Sequence, residues 1–371
     1  MRAIVTGGGS GGHIYPALAI AEKIKEREPG SEILYIGSDL GIEKDVVPQK
    51  GYRFEMVDAR WFIKKPVEIV KTAVTTLRGS NQALKLMKEF KPDAVIGTGG
   101  FVCVPVIHAA KRYGAPSFIH EQNAFPGVAN RFLERYVEKV LLGFEDAASY
   151  FKHPEKIVLT GNPVRKQFFE ADRKASREKL GIKDGEFAVF CFAGSQGADM
   201  FNDMMLEVIK RFSGDSRIVI LFGCGVYHYK EFNEALEKEN FTYENNVHVY
   251  EYIDEMQTYL AASDIVISRA GALSLSEITA TGSASLLIPS PNVTGNHQFY
   301  NAKALAEGGG AILIEEKDIT PEKTIELLEE LMDSPERLEE IRKASKAMSP
   351  VNASDKIVDE VFGIVKDNGK R

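Results

Sequence analysis

Short apolar runs alternate with amphipathic stretches along almost all of this 371-residue chain, and nothing else about it constrains the fold so tightly. Brief runs rich in Val, Ile, Leu and Phe, bounded by glycines, read as strands buried on both faces. The stretches between them carry the 3.6-residue period of helices. Such alternation builds α/β domains around parallel sheets. One series of strands is expected at 3–6, 33–36, 54–57, 94–96, 117–119, 140–142 and 157–159. Gly161-Asn162-Pro163 breaks it, a charged helix follows over 172–180, and a second series is expected at 187–192, 218–222, 247–250, 265–268, 286–288 and 311–314. Each series opens on a glycine turn, V-T-G-G-G-S-G-G and C-F-A-G-S-Q-G-A-D. The expected architecture is two doubly wound parallel-sheet domains, 1–163 and 164–349, with a C-terminal helix within about 350–371 packing back on the first.

Composition excludes several classes. A net charge of −7 with 27% charged residues argues against a nucleic-acid binder. Cys103, Cys191 and Cys224 are isolated in sequence and read as reduced thiols, neither a disulfide framework nor a zinc site. The N-terminus enters a strand directly, so no signal peptide is expected, and no run approaches the ~18 apolar residues that span a bilayer. The expected location is cytoplasmic, with any membrane contact peripheral.

The most informative local stretch is 268–301. D-I-V-I-S reads as a buried strand, Arg269-Ala270-Gly271 turns it tightly, and a helix is expected over 272–281. Such a turn leaves N–H groups at the positive end of the helix dipole, where a phosphate binds. Glu277 follows about one and a half turns in, where a carboxylate can accept from a diol such as a ribose. Gln298 and Asn301 open the next helix. A competing reading makes Ser274-x-x-Glu277 a capping box, with Glu277 structural.

At the N-terminus, Gly7-Gly8-Gly9-Ser10-Gly11-Gly12 satisfies G-x-G-x-x-G, the dinucleotide fingerprint. Asp39 lies beyond the second strand end, and His13 and Pro16 occupy the first helical turn, so NAD is disfavoured. His13 is then expected to face a ligand. His120-Glu121-Gln122-Asn123 follows the 117–119 strand, where four polar groups would project from a crevice edge. His13, His120 or Glu121 could each be a general base. Arg165, after the 161–163 break, is placed to reach a phosphate, Ser195-Gln196-Gly197 repeats the phosphate-friendly turn, and Ile253 sits where backbone groups could read a flat base. The chain holds no D-x-D pair and no His/Cys/acid cluster with metal-ligand spacing. No metal or other cofactor is expected, and helix N-termini with Arg165 would neutralise a diphosphate.

Residues 60–91 hold eight cations against Glu68 and Glu89, a local balance of +6 in an acidic chain. Trp61, Phe62 and Val74 interleave with Lys64, Lys65 and Lys71. This pattern suits either an anionic membrane surface or a solvated helix with its apolar side in the core.

Taken in order, G-G-S-G-G-H-I-Y-P, H-E-Q-N, G-N-P-V-R, G-S-Q-G, S-R-A-G-A-L-S-L-S-E and H-Q-F-Y-N-A resemble the MurG-type N-acetylglucosaminyltransferases. Ser10 stands where many members have Thr, and Ala193 where they have Gly. The resemblance implies a GT-B fold, two Rossmann-like domains facing across a deep cleft. It implies inverting transfer of N-acetylglucosamine from UDP-N-acetylglucosamine to the C4 hydroxyl of the muramoyl sugar of undecaprenyl-linked lipid I, giving lipid II for peptidoglycan. By the same resemblance, His13 acts near the acceptor; with Glu121 from the strand-end cluster, it is the catalytic candidate. Ser10, Gly11, Gly12 and Asn123 are donor-sugar contacts, Arg165 and Ser195 lie on the diphosphate side, and Ile253 reads uracil. Ala272, Leu273, Ser274, Leu275, Ser276 and Glu277 form the nucleotide helix with Gln298 beside it, and the 61–80 segment docks on the anionic inner-membrane surface. A UDP-N-acetylglucosamine 2-epimerase shares such a fold and is the alternative; a nicotinamide-dependent dehydrogenase is a third reading.

Overall fold

The computed structural model describes residues 1–61, 65–194 and 197–369. The chain divides into two units, Met1–Val164 with Pro350–Arg371, and Arg165–Ser349. All thirteen strands form where the apolar runs place them, within about two residues at either end.

The first unit is a seven-stranded parallel sheet built from β1 (Arg2–Thr6), β2 (Glu32–Gly37), β3 (Arg53–Met56), β4 (Ala94–Gly97), β5 (Ser117–Glu121), β6 (Lys139–Leu142) and β7 (Ile157–Leu159). Their order across the sheet is β3-β2-β1-β4-β5-β6-β7. Continuous apolar runs suit β1, β2 and β4 because helices cover both faces. On one face the helix Gly11–Arg27 buries Ile14, Ala17, Leu18, Ile20, Ala21 and Ile24, a stripe at helical spacing. It shares its core with Ile357, Val358 and Val361 of the terminal helix Ala353–Gly369. Burying each such Ile contributes about 1.5–3 kcal/mol. Lys23 and Arg27 both reach Asp355 at 3.1 Å, and Arg27 also reaches Asp359 at 2.8 Å. On the other face, Ala83, Met87 and Phe90 of the helix Pro66–Phe90 pack with Val106, Ile107 and Ala110 of Cys103–Tyr113.

The second unit is a six-stranded parallel sheet of β8 (Phe187–Phe192), β9 (Ile218–Gly223), β10 (Val247–Tyr250), β11 (Ile265–Ser268), β12 (Ser285–Leu287) and β13 (Ile312–Leu313). Its order is β10-β9-β8-β11-β12-β13. All of β8, β9 and β11 is buried. Phe201, Met205, Val208 and Phe212 of the helix Asp199–Phe212 cover one face. In each sheet the winding direction reverses once, between β1 and β4 and between β8 and β11. Ligands of doubly wound folds bind outside the strand C-termini at such reversals.

Candidate active site

At the β1/β4 reversal, the loop after β1 has each of its leading backbone groups assigned. Tyr35 Oη donates to the Gly7 carbonyl at 2.7 Å, Gly8 N to the Gly99 carbonyl at 3.3 Å, and Gly9 N to the Glu43 carboxylate at 3.1 Å. The Ser10 carbonyl accepts from His13 N and Ile14 N at 3.1 and 3.2 Å, which starts the helix. Gly11 and Gly12 therefore belong to the first helical turn, with exposed Ser10 as its cap residue. His13 is half-buried, and its Nδ1 lies 3.0 Å from the Gly8 carbonyl. A carbonyl accepts only, so Nδ1 is the atom that donates to it and carries a proton. Thr98 Oγ1 donates to the His13 carbonyl at 2.7 Å. Gly99, after β4, has φ +105°, and a Cβ there would stand 2.7 Å from His13 Cδ2 and 3.0 Å from Nε2. Only glycine satisfies both the backbone and the ring.

The structure corrects the expectation of an exposed polar edge after 117–119. β5 runs on through His120 and Glu121, and both are buried. His120 Nε2 donates to the Gly161 carbonyl at 3.1 Å, and its Nδ1 faces the Gln122 amide at 2.9 Å. Burial pushes its pKa down to about 4, so the ring is neutral and sealed. Glu121 accepts four N–H bonds: Asn123 N and Nδ2 at 3.0 and 3.1 Å, Gly127 N at 3.0 Å, and Asn130 Nδ2 at 2.9 Å. A carboxylate has about four acceptor positions, and these are taken. Glu121 and Asn123 thus meet each other and shape the 121–130 loop, while His13 is set by Gly8 and Thr98.

In the second unit, Gly271 is the extended cap residue (φ −66°, ψ 135°) of the helix Ala272–Thr281. Ser274 falls inside the helix, so the capping box is not formed. The turn before it is pinned from three sides. Buried Asn301 donates from Nδ2 to the Ala270 carbonyl at 3.1 Å, Arg269 lies over the Phe201 ring at 4.9 Å, and the same guanidinium pairs with Glu316. Ala272, Leu275 and Ser276 turn inward, and Ser276 Oγ donates to the Ala272 carbonyl at 2.8 Å. Leu273 and Ser274 are partly exposed, and the N–H groups of this turn have no partner within the helix. Glu277 retains 23% exposure, and desolvation pushes its carboxyl up to about 7 although the Arg165 guanidinium, 3.5 Å away, pulls it down. Arg165, expected to reach a phosphate, lies against Glu277 and over the Phe168 ring at 5.0 Å. Gln298 Oε1 accepts from Ser290 N at 2.9 Å, and Ile253 packs against Gly223 at the end of β9. Ser195 lies outside the described residues.

In the basic segment, Val67, Val70, Val74 and Leu77 form one helical stripe, 57–66% exposed. Lys65 is exposed, whereas Lys71 pairs with Glu68 at 3.0 Å, Arg60 with Glu68 at 3.1 Å and Arg78 with Asp58 at 2.7 Å. The sequence count of +6 therefore overstates the charge on offer. Trp61 is still half exposed, but its ring also packs tilted against Phe101 with centroids 4.3 Å apart, and a Cβ at Gly9 would lie 2.7 Å from its Cη2. Phe62 and Lys64 fall outside the described residues. Among the described residues no three His, Cys, Asp or Glu side chains gather as metal ligands.

Comparison with known proteins decides the family. Residues 3–142 match the glycosyltransferase family 28 N-terminal domain, and 188–357 match its C-terminal domain. The chain is 43% identical over 358 residues, covering 96% of itself and 98% of the relative, to the UDP-N-acetylglucosamine--N-acetylmuramyl-(pentapeptide) pyrophosphoryl-undecaprenol N-acetylglucosamine transferase of Caldanaerobacter subterraneus subsp. tengcongensis. The crystal structure of Acinetobacter baumannii MurG superposes with a TM-score of 0.78 at 26% identity, covering 98% of this chain and 99% of that one. The chain belongs to the MurG family. A UDP-GlcNAc 2-epimerase from Neisseria meningitidis bound to UDP-GlcNAc has a TM-score of 0.67 at 18% identity, over 98% of this chain and 99% of that one. At that identity the likeness shows the shared GT-B fold alone.

Three residues of this MurG-family site escape motif reading. Asn301 was visible as a polar residue in H-Q-F-Y-N-A, but its bond to the Ala270 carbonyl spans 31 residues. Gly99 carries no sign in sequence that the His13 ring fills the space beside it. Glu43 had no signal beyond being an acid near a strand end.

Proposed function

We propose that this chain catalyses inverting transfer of N-acetylglucosamine from UDP-N-acetylglucosamine to the C4 hydroxyl of the muramoyl sugar of undecaprenyl-linked lipid I, forming lipid II. The observation that carries this reading is the near full-length match to transferases of that name, at 43% identity in the Caldanaerobacter relative. In the reaction, His13 Nε2 takes the acceptor hydroxyl proton, and the oxygen attacks the anomeric carbon from the face opposite the phosphate. The C1–O bond to UDP breaks in the same displacement, so the configuration inverts.

The residues divide the work by chemistry. N–H groups at the start of Ala272–Thr281, with the Ser195 turn, carry the diphosphate and its developing charge, which the helix dipole favours. Glu277 accepts the ribose hydroxyls, Arg165 partly offsets the burial that disfavours its ionised form, and backbone at Ile253 reads the uracil edge. Gln298 holds the 290 loop at the sugar. On the first unit, Ser10, Gly11, Gly12 and the loop organised by Glu121 and Asn123 contact the sugars, while Glu121 itself, with its oxygens engaged, shapes and does not abstract. No divalent ion is assigned a part in this scheme.

A fluorescence assay of UDP release with UDP-N-acetylglucosamine and a lipid I analogue tests the reading. Release that depends on both substrates is expected; none, from folded protein, would sink it. Appearance of the manno epimer without acceptor would support the epimerase alternative.

The stripe of Val67, Val70, Val74 and Leu77, with Lys64, Lys65 and Lys71 of the same stretch of sequence, is read as a peripheral dock on the anionic cytoplasmic face of the membrane. Among the described residues no helix is long and apolar enough to cross a membrane. Each lysine near an anionic surface contributes about 1 kcal/mol. Reversing all three to Glu should therefore lower co-sedimentation with anionic liposomes on the order of 100-fold. Unchanged partition would reject the dock.

A further inference from the structure

Beyond the C-terminal end of β5, in the helix Val128–Leu133, Arg131 is a half-buried cation without a counter-charge. Its Nε is sealed from water with no acceptor, and among the described residues the guanidinium makes no ion pair and no hydrogen bond. Other half-buried arginines of this chain are paired: Arg173, Arg177 and Arg342 all reach Asp264, and Arg269 pairs with Glu316. What Arg131 meets is an aromatic face. Its Cζ lies 5.3 Å from the Phe125 ring centroid, and Phe125 meets Tyr150 edge-on with centroids 4.9 Å apart. A ring attracts a cation without neutralising it. A cation partly stripped of water and left unpaired gains more from an incoming anion than a hydrated surface arginine does.

The loop that carries Arg131 is fixed to the sheet. Arg131 N donates to the Gly127 carbonyl at 3.1 Å, while Gly127 N and Asn130 Nδ2 both donate to Glu121, at 3.0 and 2.9 Å. Asn130, the preceding residue, turns inward towards the glycine loop. The point a Cβ would occupy at Gly99 lies 2.7 Å from His13 Cδ2 and 3.6 Å from Asn130 Nδ2, so ring and amide flank one spot. Arg131 stands one residue further out, with exposed Val128 and Phe132 on the same helix. All of these groups lie at the strand C-terminal end of the first unit, the end where doubly wound folds take their ligands.

We propose that Arg131, backed by Phe125 and Tyr150, anchors a carboxylate of the peptide stem that the acceptor sugar carries. This deepens the transferase reading and rests on it. The stem leaves a muramoyl sugar from C3, the carbon next to the reacting C4, whereas the diphosphate on C1 lies across the pyranose ring. A cation just outside the spot flanked by His13 and Asn130 therefore faces the stem sooner than the diphosphate. Five extended residues span about 17 Å, ample to bring a stem carboxylate to Arg131. The planar guanidinium matches a carboxylate with two parallel N–H bonds, and the rings offer a flat apolar floor to the peptide chain.

The test uses two short-chain lipid I analogues, one with its stem carboxylates free and one with every stem carboxylate converted to a primary amide. With the free-acid acceptor, Arg131→Met should raise the acceptor KM about 10- to 100-fold, as expected for loss of hydrogen bonds to a charged group. The KM for UDP-N-acetylglucosamine should move less than about 2-fold, and Arg131→Lys, which keeps the charge and loses the fork, should fall between. With the amidated acceptor, wild type and Arg131→Met should share one KM, close to that of Arg131→Met with the free acid. An equal rise with both acceptors would overturn the proposal and point to the diphosphate or to a damaged loop; no rise with either would overturn it as well. Should Arg131→Met not fold, wild type alone decides: a preference for the free-acid acceptor of about 10-fold or more in KM supports the anchor, and no preference overturns it. Wild type that transfers to neither acceptor would instead remove the transferase reading, a separate failure.

Discussion

A His13→Ala enzyme is expected to lose about 10²- to 10⁴-fold in kcat, the range that a positioned general base contributes. Its KM for UDP-N-acetylglucosamine should stay close to that of wild type. The asymmetry follows from geometry. The ring is anchored through Nδ1 on the Gly8 carbonyl, and its other edge lies against Gly99. Both of those anchors belong to the first unit, whereas the nucleotide is assigned to the Ala272–Thr281 helix of the second. Steady-state kinetics with the acceptor saturating and the donor varied would separate the two constants. A parallel loss in donor affinity would make His13 a binding residue.

Replacing Glu277 by Ala should do the reverse. Hydrogen bonds to a charged group contribute about 1.5–3 kcal/mol each, so losing the diol contacts should weaken UDP binding on the order of 10²-fold. kcat at saturating donor should change far less. The carboxyl also gives this site a pH dependence. Burial raises it from its ordinary value of 4.5 to about 7 in the folded protein. Below that pH it is neutral and a poor acceptor for a diol, so UDP affinity should fall as pH drops from 8 to 6. Binding to the ionised form should release a proton, which calorimetry in buffers of different ionisation enthalpy would count.

Linkage gives a second readout. A folded-state carboxyl titrating near 7 binds more protons than the unfolded chain between about pH 4.5 and 7, so its contribution to stability declines as pH rises through that window. Glu277→Gln should therefore have a higher Tm than wild type at pH 8, and the difference should close towards pH 4.5. A Tm difference independent of pH would mean that the carboxylate is not strained by burial. A difference that grows with pH would mean that the same residue binds the nucleotide at the expense of fold stability, as functional groups commonly do.

Both units could be read as α/β from the apolar runs, because strands buried on both faces need little polar residue and so stand out in composition. The helix Ala272–Thr281 was nearly as legible: a glycine turn after a strand placed it, and only the rival start at Ser274 needed the fold to remove it. The candidate site was legible as a set of strand ends, since glycines and polar residues gather where parallel strands stop. It was not legible as a set of roles. His13, His120 and Glu121 stood equal as bases in sequence. They separate only when Gly161, 41 residues on, caps His120, and when Gly127 and Asn130 fill the second oxygen of Glu121. The basic stretch reads differently too once Glu68 and Asp58 pair with Arg60, Lys71 and Arg78, and Trp61 packs in part on Phe101.

The order of apolar runs and glycine turns was enough to specify two parallel-sheet units, their strand boundaries, and a glycine-capped helix after β11, because these depend on local periodicity and backbone freedom. Which polar group is sealed, which is saturated and which is only half-buried depended on partners far away in the chain. Thr98 holds the His13 carbonyl across 85 residues, and Glu43 holds the peptide beneath the ring across 34. Hydrogen-bond capacity is written in each residue, but how it is spent is set by what folding brings within about 3 Å.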